Sequence, residues 1–338
     1  MSELKKDMHL WDGSKPWDQD TLAYTPSQEE GRQIAYRSWA PKSGKPKYLV
    51  FLVHGILEHG GRYAGLAHWL TEKGAAVYAH DHVGHGRSVP RKDEEDCPTL
   101  ENGFGIVNDW NDMVNDSVHF INTKAQEADV AELPILVLGH SMGSLIATET
   151  LAKLQREGDE GVGVGKRISK TVISGCAFHP GPASASPLGI RGLYFMNKLP
   201  ALMRGLGSVF AKLDPKGPNA PVLRASLTHN QSVLDRIDKD ALHNTDPVRN
   251  KTGYEVLKLI GAARQGVKSL RYPLLMIHGE DDDICYPSGA HEYLDSVGST
   301  QKSLKVYPGL LHEVLFDVPE GKSELTKDLE EYVADMAP

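Results

Sequence analysis

The sequence predicts an α/β fold: a mostly parallel, doubly wound sheet with flanking helices, interrupted once by an inserted helical cap. Three observations carry this. Short apolar runs of strand length alternate with amphipathic helical stretches along most of the chain. Some runs are continuously apolar, as in Tyr48-Leu49-Val50-Phe51-Leu52-Val53, the pattern of strands buried on both faces of a parallel sheet. The alternation stops from about Cys176 to Asn250 and then resumes. The expected organisation is an N-terminal arm over 1–20, a first core part over 21–175, a cap over 176–250 and a second core part over 251–338.

Composition narrows the function classes. The 338 residues are 40% hydrophobic and 24% charged, ordinary for a globular chain. A net charge of −8 argues against nucleic acid as the main partner. Cys97, Cys176 and Cys285 are far apart and odd in number, which fits neither a disulfide framework nor a zinc site and predicts a reducing compartment. Residues 1–7 lack an apolar signal core, and no apolar run approaches bilayer-spanning length. A cytoplasmic protein is expected.

Along the chain, polar residues 1 to about 20 carry Trp11 and Trp17 and read as a surface arm. Leu22–Thr25 and Arg32–Trp39, punctuated by Gly31 and Pro41, read as an antiparallel hairpin at a sheet edge. The strand Tyr48–Val53 runs into His54-Gly55-Ile56-Leu57-Glu58-His59-Gly60-Gly61-Arg62-Tyr63. A helix with Tyr63, Leu66, Ala67 and Leu70 on one face follows and stops at Gly74. The strand Ala75–Ala79 leads to His80-Asp81-His82-Val83-Gly84-His85-Gly86-Arg87-Ser88. After a charged loop from Pro90 to Glu101, a helix with Ile106, Val107, Trp110, Met113, Val114, Val118 and Ile121 on its apolar face is expected. Gly165-Lys166 in the glycine-rich 158–170 connection lacks the rest of a phosphate-loop motif. Beyond the cap come a helix near Tyr254–Ala263, a strand Leu274–His278, a helix Ser288–Ser296, a strand Ser303–Tyr307 and a last helix over about Ser323–Met336.

The cap is apolar and basic. From Leu188 to Leu213 its only charges are Arg191, Lys198, Arg204 and Lys212, amid Leu188, Leu193, Phe195, Met196, Leu199, Leu202, Met203, Leu206, Val209 and Phe210. Most of that apolar face is expected to pack on the core and line a pocket, with part of it resting on an anionic lipid surface.

The chemistry centres on Gly139-His140-Ser141-Met142-Gly143, between a buried apolar run and a helix that contains Leu145 and Ile146. A strand, a sharp glycine-flanked turn and a helix push the Ser141 hydroxyl out of the sheet edge and leave the Met142 N–H free for an oxyanion. A serine hydroxyl needs an imidazole to take its proton, and the imidazole needs a carboxylate to orient it. Strand ends supply both, in order: an acid within Glu280–Asp283, then His312 after Pro308-Gly309. Among 15 histidines His312 stands out by that position. Spacing does not choose between Asp281, Asp282 and Asp283. The Ile56 N–H, in the loop after Val53, is the candidate second oxyanion donor. The histidine-rich segments at His54–His59 and His80–His85 lack metalloenzyme spacing, so no metal and no organic cofactor is expected.

These segments, with Ala79–Ser88, Gly279–Cys285 and Tyr307–His312, resemble the monoacylglycerol lipases, serine hydrolases of the α/β-hydrolase superfamily. The resemblance covers about residues 30 to 335 and includes Asn244-Thr245-Asp246-Pro247 in the cap. It implies an α/β-hydrolase fold with Ser141, Asp282 and His312 as the triad and with Ile56 and Met142 at the oxyanion positions. It places Glu58 and Arg62 in the pocket for the glycerol moiety; the other reading of this pair is a salt bridge that fixes the loop. Cys285 matches a cysteine near the site but outside the triad. The chain departs from the family at Ile56-Leu57, where a small pair is usual, at His243, where a tyrosine is common, and in the length of 158–165. The implied activity is cleavage of monoacylglycerols to fatty acid and glycerol, with peripheral contact to a membrane or lipid droplet through 188–213. A lysophospholipase or short-chain esterase is the alternative, ahead of a non-catalytic ligand-binding module.

Overall fold

The structure, a computed structural model, describes residues 22–89, 99–181, 200–317 and 319–336. The expected arm over 1–20, most of the charged 90–101 loop with Cys97, and Leu188, Leu193, Phe195, Met196 and Leu199 of the expected cap lie outside the described residues.

Ten strands are described: β1 (Leu22–Pro26), β2 (Gln33–Trp39), β3 (Tyr48–Val53), β4 (Ala75–His80), β5 (Ile135–His140), β6 (Ile168–Ser174), β7 (Pro218–Ala220), β8 (Val248–Arg249), β9 (Leu274–Gly279) and β10 (Lys302–Tyr307). Eight of them form one sheet in the order β1-β2-β4-β3-β5-β6-β9-β10. The β1–β2 and β2–β4 pairs are antiparallel, and the other five pairs are parallel. The antiparallel hairpin at one edge and the parallel centre follow from the sequence: β3, β4, β5 and β9 are buried at every residue, whereas β1 and β10 at the edges carry exposed positions.

The α-helices among the described residues are α1 (Ala64–Glu72), α2 (Trp110–Ala125), α3 (Met142–Asp159), α4 (Pro200–Leu213), α5 (Gln231–Lys239), α6 (Asn250–Gly266), α7 (Pro287–Ser296) and α8 (Pro319–Val333). Phe120 of α2 docks on the sheet through aromatic contacts with Tyr36, Phe51 and Tyr78 at centroid distances of 5.2, 6.0 and 6.4 Å. Burying such a ring is worth about 1.5–3 kcal/mol. Helix α2 starts later than the apolar pattern suggests. The Asp109 carboxylate accepts the Asn111 N–H at 3.0 Å and caps the helix there, so Ile106 and Val107 lie before it. Val107 is still buried, and its N–H donates to Thr252 Oγ1 at 3.0 Å.

Register brings the loops together. Val53 pairs with Gly139, His140 with Ser174, and Gly279 with Tyr307. The C-terminal ends of β3, β5, β9 and β10 therefore open on one edge of the sheet, where sites in parallel α/β sheets form. Between β6 and β9 the described chain forms α4, α5 and the β7–β8 pair, and α4 packs on α6. No helix among the described residues is long and apolar enough to cross a membrane.

Candidate active site

Ser141 occupies a backbone conformation that few residues adopt, with φ 54° and ψ −124°, between β5 and α3. Holding a non-glycine residue there costs about 1–3 kcal/mol. The elbow is pinned by the Ser141 N–H to Ser174 O at 2.9 Å and by the Ser144 N–H to Ser141 O at 2.8 Å. Its glycines are steric necessities. A Cβ on Gly143 would stand 2.1 Å from Val53 O, and one on Gly139 would stand 2.5 Å from Gly143 O. Met142 is the first residue of α3, so its N–H has no carbonyl partner within the helix and points from the positive end of the helix dipole.

His312 Nε2 lies 2.8 Å from Ser141 Oγ, and His312 Nδ1 lies 2.8 Å from Asp282 Oδ2. The other carboxylate oxygen of Asp282 accepts the N–H groups of Ile284 at 2.9 Å and Cys285 at 2.8 Å. Asp281 and Asp283 are exposed and Asp282 is buried, so of the three acids only Asp282 meets the imidazole. Burial disfavours the Asp282 carboxylate, but the neighbouring His312 and His278 overcome this and hold it well below the usual carboxylate range. Burial alone would lower the His312 pKa. The Asp282 charge and hydrogen bond outweigh it, and the pKa is raised.

The Ile56 loop is braced from behind. Glu58 Oε1 accepts the Gly55 N–H and, at 2.8 Å, the Tyr63 hydroxyl, while Glu58 Oε2 pairs with Arg62. Arg62 also donates to Glu313 Oε1 at 3.1 Å. Glu58 and Arg62 thus form a buried structural brace and at the same time line the cavity that holds Ser141 and His312. The cavity measures about 920 Å³. Ile56, Leu57, Phe210, Val222, Val248 and Ile260 give it apolar walls, and its polar lining includes Glu58, Arg62, His140, Ser141, His312 and Glu313.

The Hydrolase_4 family model, described as serine aminopeptidase, S33, matches residues 44–319. The monoglyceride lipase of Mus musculus is 30% identical over 312 residues, covering 90% of this chain and 88% of that one. The chain belongs to the monoglyceride lipase family. The monoglyceride lipase of Rattus norvegicus is 29% identical over 306 residues with the same coverage. A soluble variant of monoglyceride lipase from Saccharomyces cerevisiae, solved with a substrate analogue, superposes with a TM-score of 0.72 at 19% identity, over 96% of this chain and 99% of that one, and shows the α/β-hydrolase fold.

Against the rest of this lipase family, the departures now have places. Leu57 is buried with φ 64°, and its backbone carbonyl accepts the Asn244 N–H at 2.8 Å, which ties this loop to Asn244. His243 lines the cavity, and burial reinforced by the Arg62 charge pulls its pKa down to about 3. Cys285 is buried, and burial with the nearby Asp282 charge pushes its thiol pKa well up, so it stays protonated. Among the described residues no three His, Cys, Asp or Glu side chains are grouped as metal ligands.

Sequence reasoning missed two cavity-wall groups. Glu313 Oε2 and His140 Nε2 stand 4.0 Å apart, and neither has a hydrogen-bond partner among the described residues. Their signal was adjacency: His140 precedes Ser141, and Glu313 follows His312.

Proposed function

We propose that this chain hydrolyses monoacylglycerols to fatty acid and glycerol through Ser141, His312 and Asp282. One observation carries the reading: an unbroken line of 2.8 Å hydrogen bonds from Asp282 through His312 to Ser141, at the wall of an apolar cavity. His312 Nε2 takes the Ser141 proton as Oγ attacks the ester carbonyl, and Asp282 stabilises the imidazolium that forms. The N–H groups of Ile56 and Met142 receive the oxyanion. The imidazolium then protonates the leaving glycerol. Water, activated by the same imidazole, releases the acyl enzyme. No step calls on a metal or organic cofactor.

The leaving group is where monoacylglycerol and lysophospholipid readings part. Glu58, Arg62 and Glu313 place two carboxylates and one guanidinium beside His312, a buried excess of one negative charge. That surplus disfavours a phosphate and suits a neutral polyol whose hydroxyls donate hydrogen bonds. Glu58 and Arg62 are assigned to the glycerol end on this ground.

Residues 176–250 act as the cap over the cavity in this reading, and 188–213 as its contact with a lipid surface. In support, Val209 and Phe210 are half-exposed and Leu213 is 80% exposed, and Phe210 and Leu213 also line the cavity. In this reading the chain is a cytoplasmic enzyme that docks on a membrane or lipid droplet.

The deciding assay measures fatty acid release from monoacylglycerols of graded chain length, beside lysophosphatidylcholine and a short-chain ester, with Ser141→Ala as blank. Monoacylglycerol turnover at least about tenfold above the lysolipid, roughly 1.4 kcal/mol of discrimination, is expected. Preference for the lysolipid or the short ester overturns the substrate and leaves the triad standing.

A further inference from the structure

Segment Leu227–Asn244, which contains α5, lines the cavity at Leu227, Ile237, His243 and Asn244. Each of its ends is tied to a different loop of the site. At the first end, Asp317 is fully buried. Its Oδ1 accepts the Thr228 hydroxyl at 3.0 Å and the His229 N–H at 2.7 Å, while its Oδ2 accepts the N–H of Leu311, the residue before His312, at 2.8 Å. The Glu313 N–H, on the other side of His312, donates to Leu227 O at 2.8 Å. One carboxylate and one backbone bond therefore lock the His312 loop to this segment.

At the second end, His59 Nε2 donates to Asp240 Oδ2 at 2.7 Å. The proton is on Nε2 because His59 Nδ1 accepts the Gly61 N–H at 3.2 Å. Asp240 Oδ1 accepts the Leu242 N–H at 2.9 Å. The Asn244 N–H donates to Leu57 O at 2.8 Å, one residue beyond the Ile56 N–H. Between the ends, α5 is capped by the Asn230 side chain and buries Val233 and Ile237. A hinged lid would have to break these bonds at both ends to swing.

We propose that Leu227–Asn244 is a strut that sets His312 relative to the Ile56 N–H across Ser141, with Asp317 and Asp240 as the positioning residues at its two ends. The proposal rests on the Ser141–His312 hydrolase reading. Chemistry at Ser141 needs imidazole and oxyanion donor in register at once. A misplacement on the order of 1 Å costs on the order of a hundredfold in rate. The two acids touch different loops, and sites that share no partner normally act additively. A strut predicts otherwise, since freeing one end already loses the register.

The test uses the full chain with p-nitrophenyl acetate, a substrate too small to need an acyl tunnel. Asp317→Asn and Asp240→Asn are each expected to lower kcat about tenfold with KM within about twofold. The double variant is expected near ten- to twentyfold, short of the roughly hundredfold product that independent sites give. Thr228→Val removes one hydroxyl donor and leaves the carboxylates, which covers an Asp317→Asn that fails to fold. It is expected to lower kcat about two- to fourfold and to couple with Asp240→Asn in the same way. Three results overturn the strut: single variants within about twofold of wild type, a double variant at the full product, or an intact kcat with KM raised only for long-chain esters. Wild-type turnover that Ser141→Ala abolishes is read in the same assay. Its absence sinks the hydrolase reading and the strut with it, whereas additivity in an active enzyme sinks the strut alone.

Discussion

Two histidine clusters sit at the strand ends of this sheet, and they differ in what each imidazole touches. In the first, His54 Nδ1 donates to Gly55 O at 2.8 Å and His54 Nε2 accepts the His82 N–H at 3.0 Å. His82 Nε2 donates back to His54 O at 3.1 Å, and the two rings lie 4.0 Å apart. His85 Nδ1 donates to Val83 O at 3.1 Å, and His80 meets the Ser117 hydroxyl at 3.0 Å. Burial holds these rings neutral, with the pKa of His54 down to about 3 and that of His80 to about 4. In the second cluster, His312 has a carboxylate on Nδ1 and a serine hydroxyl on Nε2, and its pKa is raised. Both clusters are buried, so burial does not make a base. A carboxylate on one nitrogen and a proton to take on the other do. The first cluster is mortar between the β3 and β4 loops, and it answers why this sequence spends so many histidines at His54 and His80–His85.

The largest effects break this contrast from the reactive side. Ser141→Ala is expected to cut kcat by about 10⁴–10⁶, and Asp282→Asn by about 10⁴ through loss of the correct tautomer. Neither is expected to change the circular dichroism spectrum. Asp281→Asn and Asp283→Asn, with exposed side chains, are expected to stay within about threefold. Retained activity in Asp282→Asn would return the acid to its neighbours. From the other side, His80→Gln is expected to cost about 1–3 kcal/mol of stability in urea unfolding and less than about tenfold in kcat. A loss near that of Asp282→Asn would place the first cluster in the chemistry.

How far the sequence carries follows the reach of each contact. The elbow was legible because it is local: an apolar strand, a glycine-flanked turn and a helix within fourteen residues, Pro134 to Ala147. His312 was legible as a strand-end histidine. Spacing left three aspartates open, because only burial separates them and burial depends on how the 279–285 turn folds back to accept the Ile284 and Cys285 N–H groups. The start of α2 was misread because an apolar stripe does not register a cap, and the stripe's helical part begins only after Asp109, three residues past Ile106. Asp240 and Asp317 gave no signal at all. Their partners, His59 and Thr228, lie 181 and 89 residues away in the chain, and no short pattern links them.

Acid titration sharpens the comparison further. His54 and His80 have folded pKa values below the ordinary histidine value. Their contribution to stability is therefore complete above about pH 6.5 and is lost as pH falls toward about 3–4, where the unfolded chain takes up protons that the folded one refuses. Each contributes a slope of up to about 1.4 kcal/mol per pH unit in that window. His312 has the opposite sign. Its raised pKa makes its contribution full at low pH, lost as pH rises through the folded value. Urea midpoints taken from pH 7 to pH 4 are expected to fall steeply, and His80→Gln is expected to flatten that fall. An unchanged slope in the variant would mean that His80 is charged in the folded protein.

The smallest expected effect lies on Glu313. Its charge sits beside His312 and adds to the raising influence of Asp282. Activity needs the neutral imidazole, so the acid limb of kcat/KM lies above the ordinary histidine pKa of about 6.5. Glu313→Gln removes one negative charge and leaves a side chain able to keep the Arg62 contact through its amide oxygen. The acid limb is then expected to move to lower pH, with the plateau rate reduced less than about tenfold. The geometry gives this sign without ambiguity, since loss of a nearby anion can only destabilise the imidazolium. A limb that stays put would mean that Arg62 already cancels the Glu313 charge, and the surplus negative charge invoked to reject phosphate leaving groups would go with it.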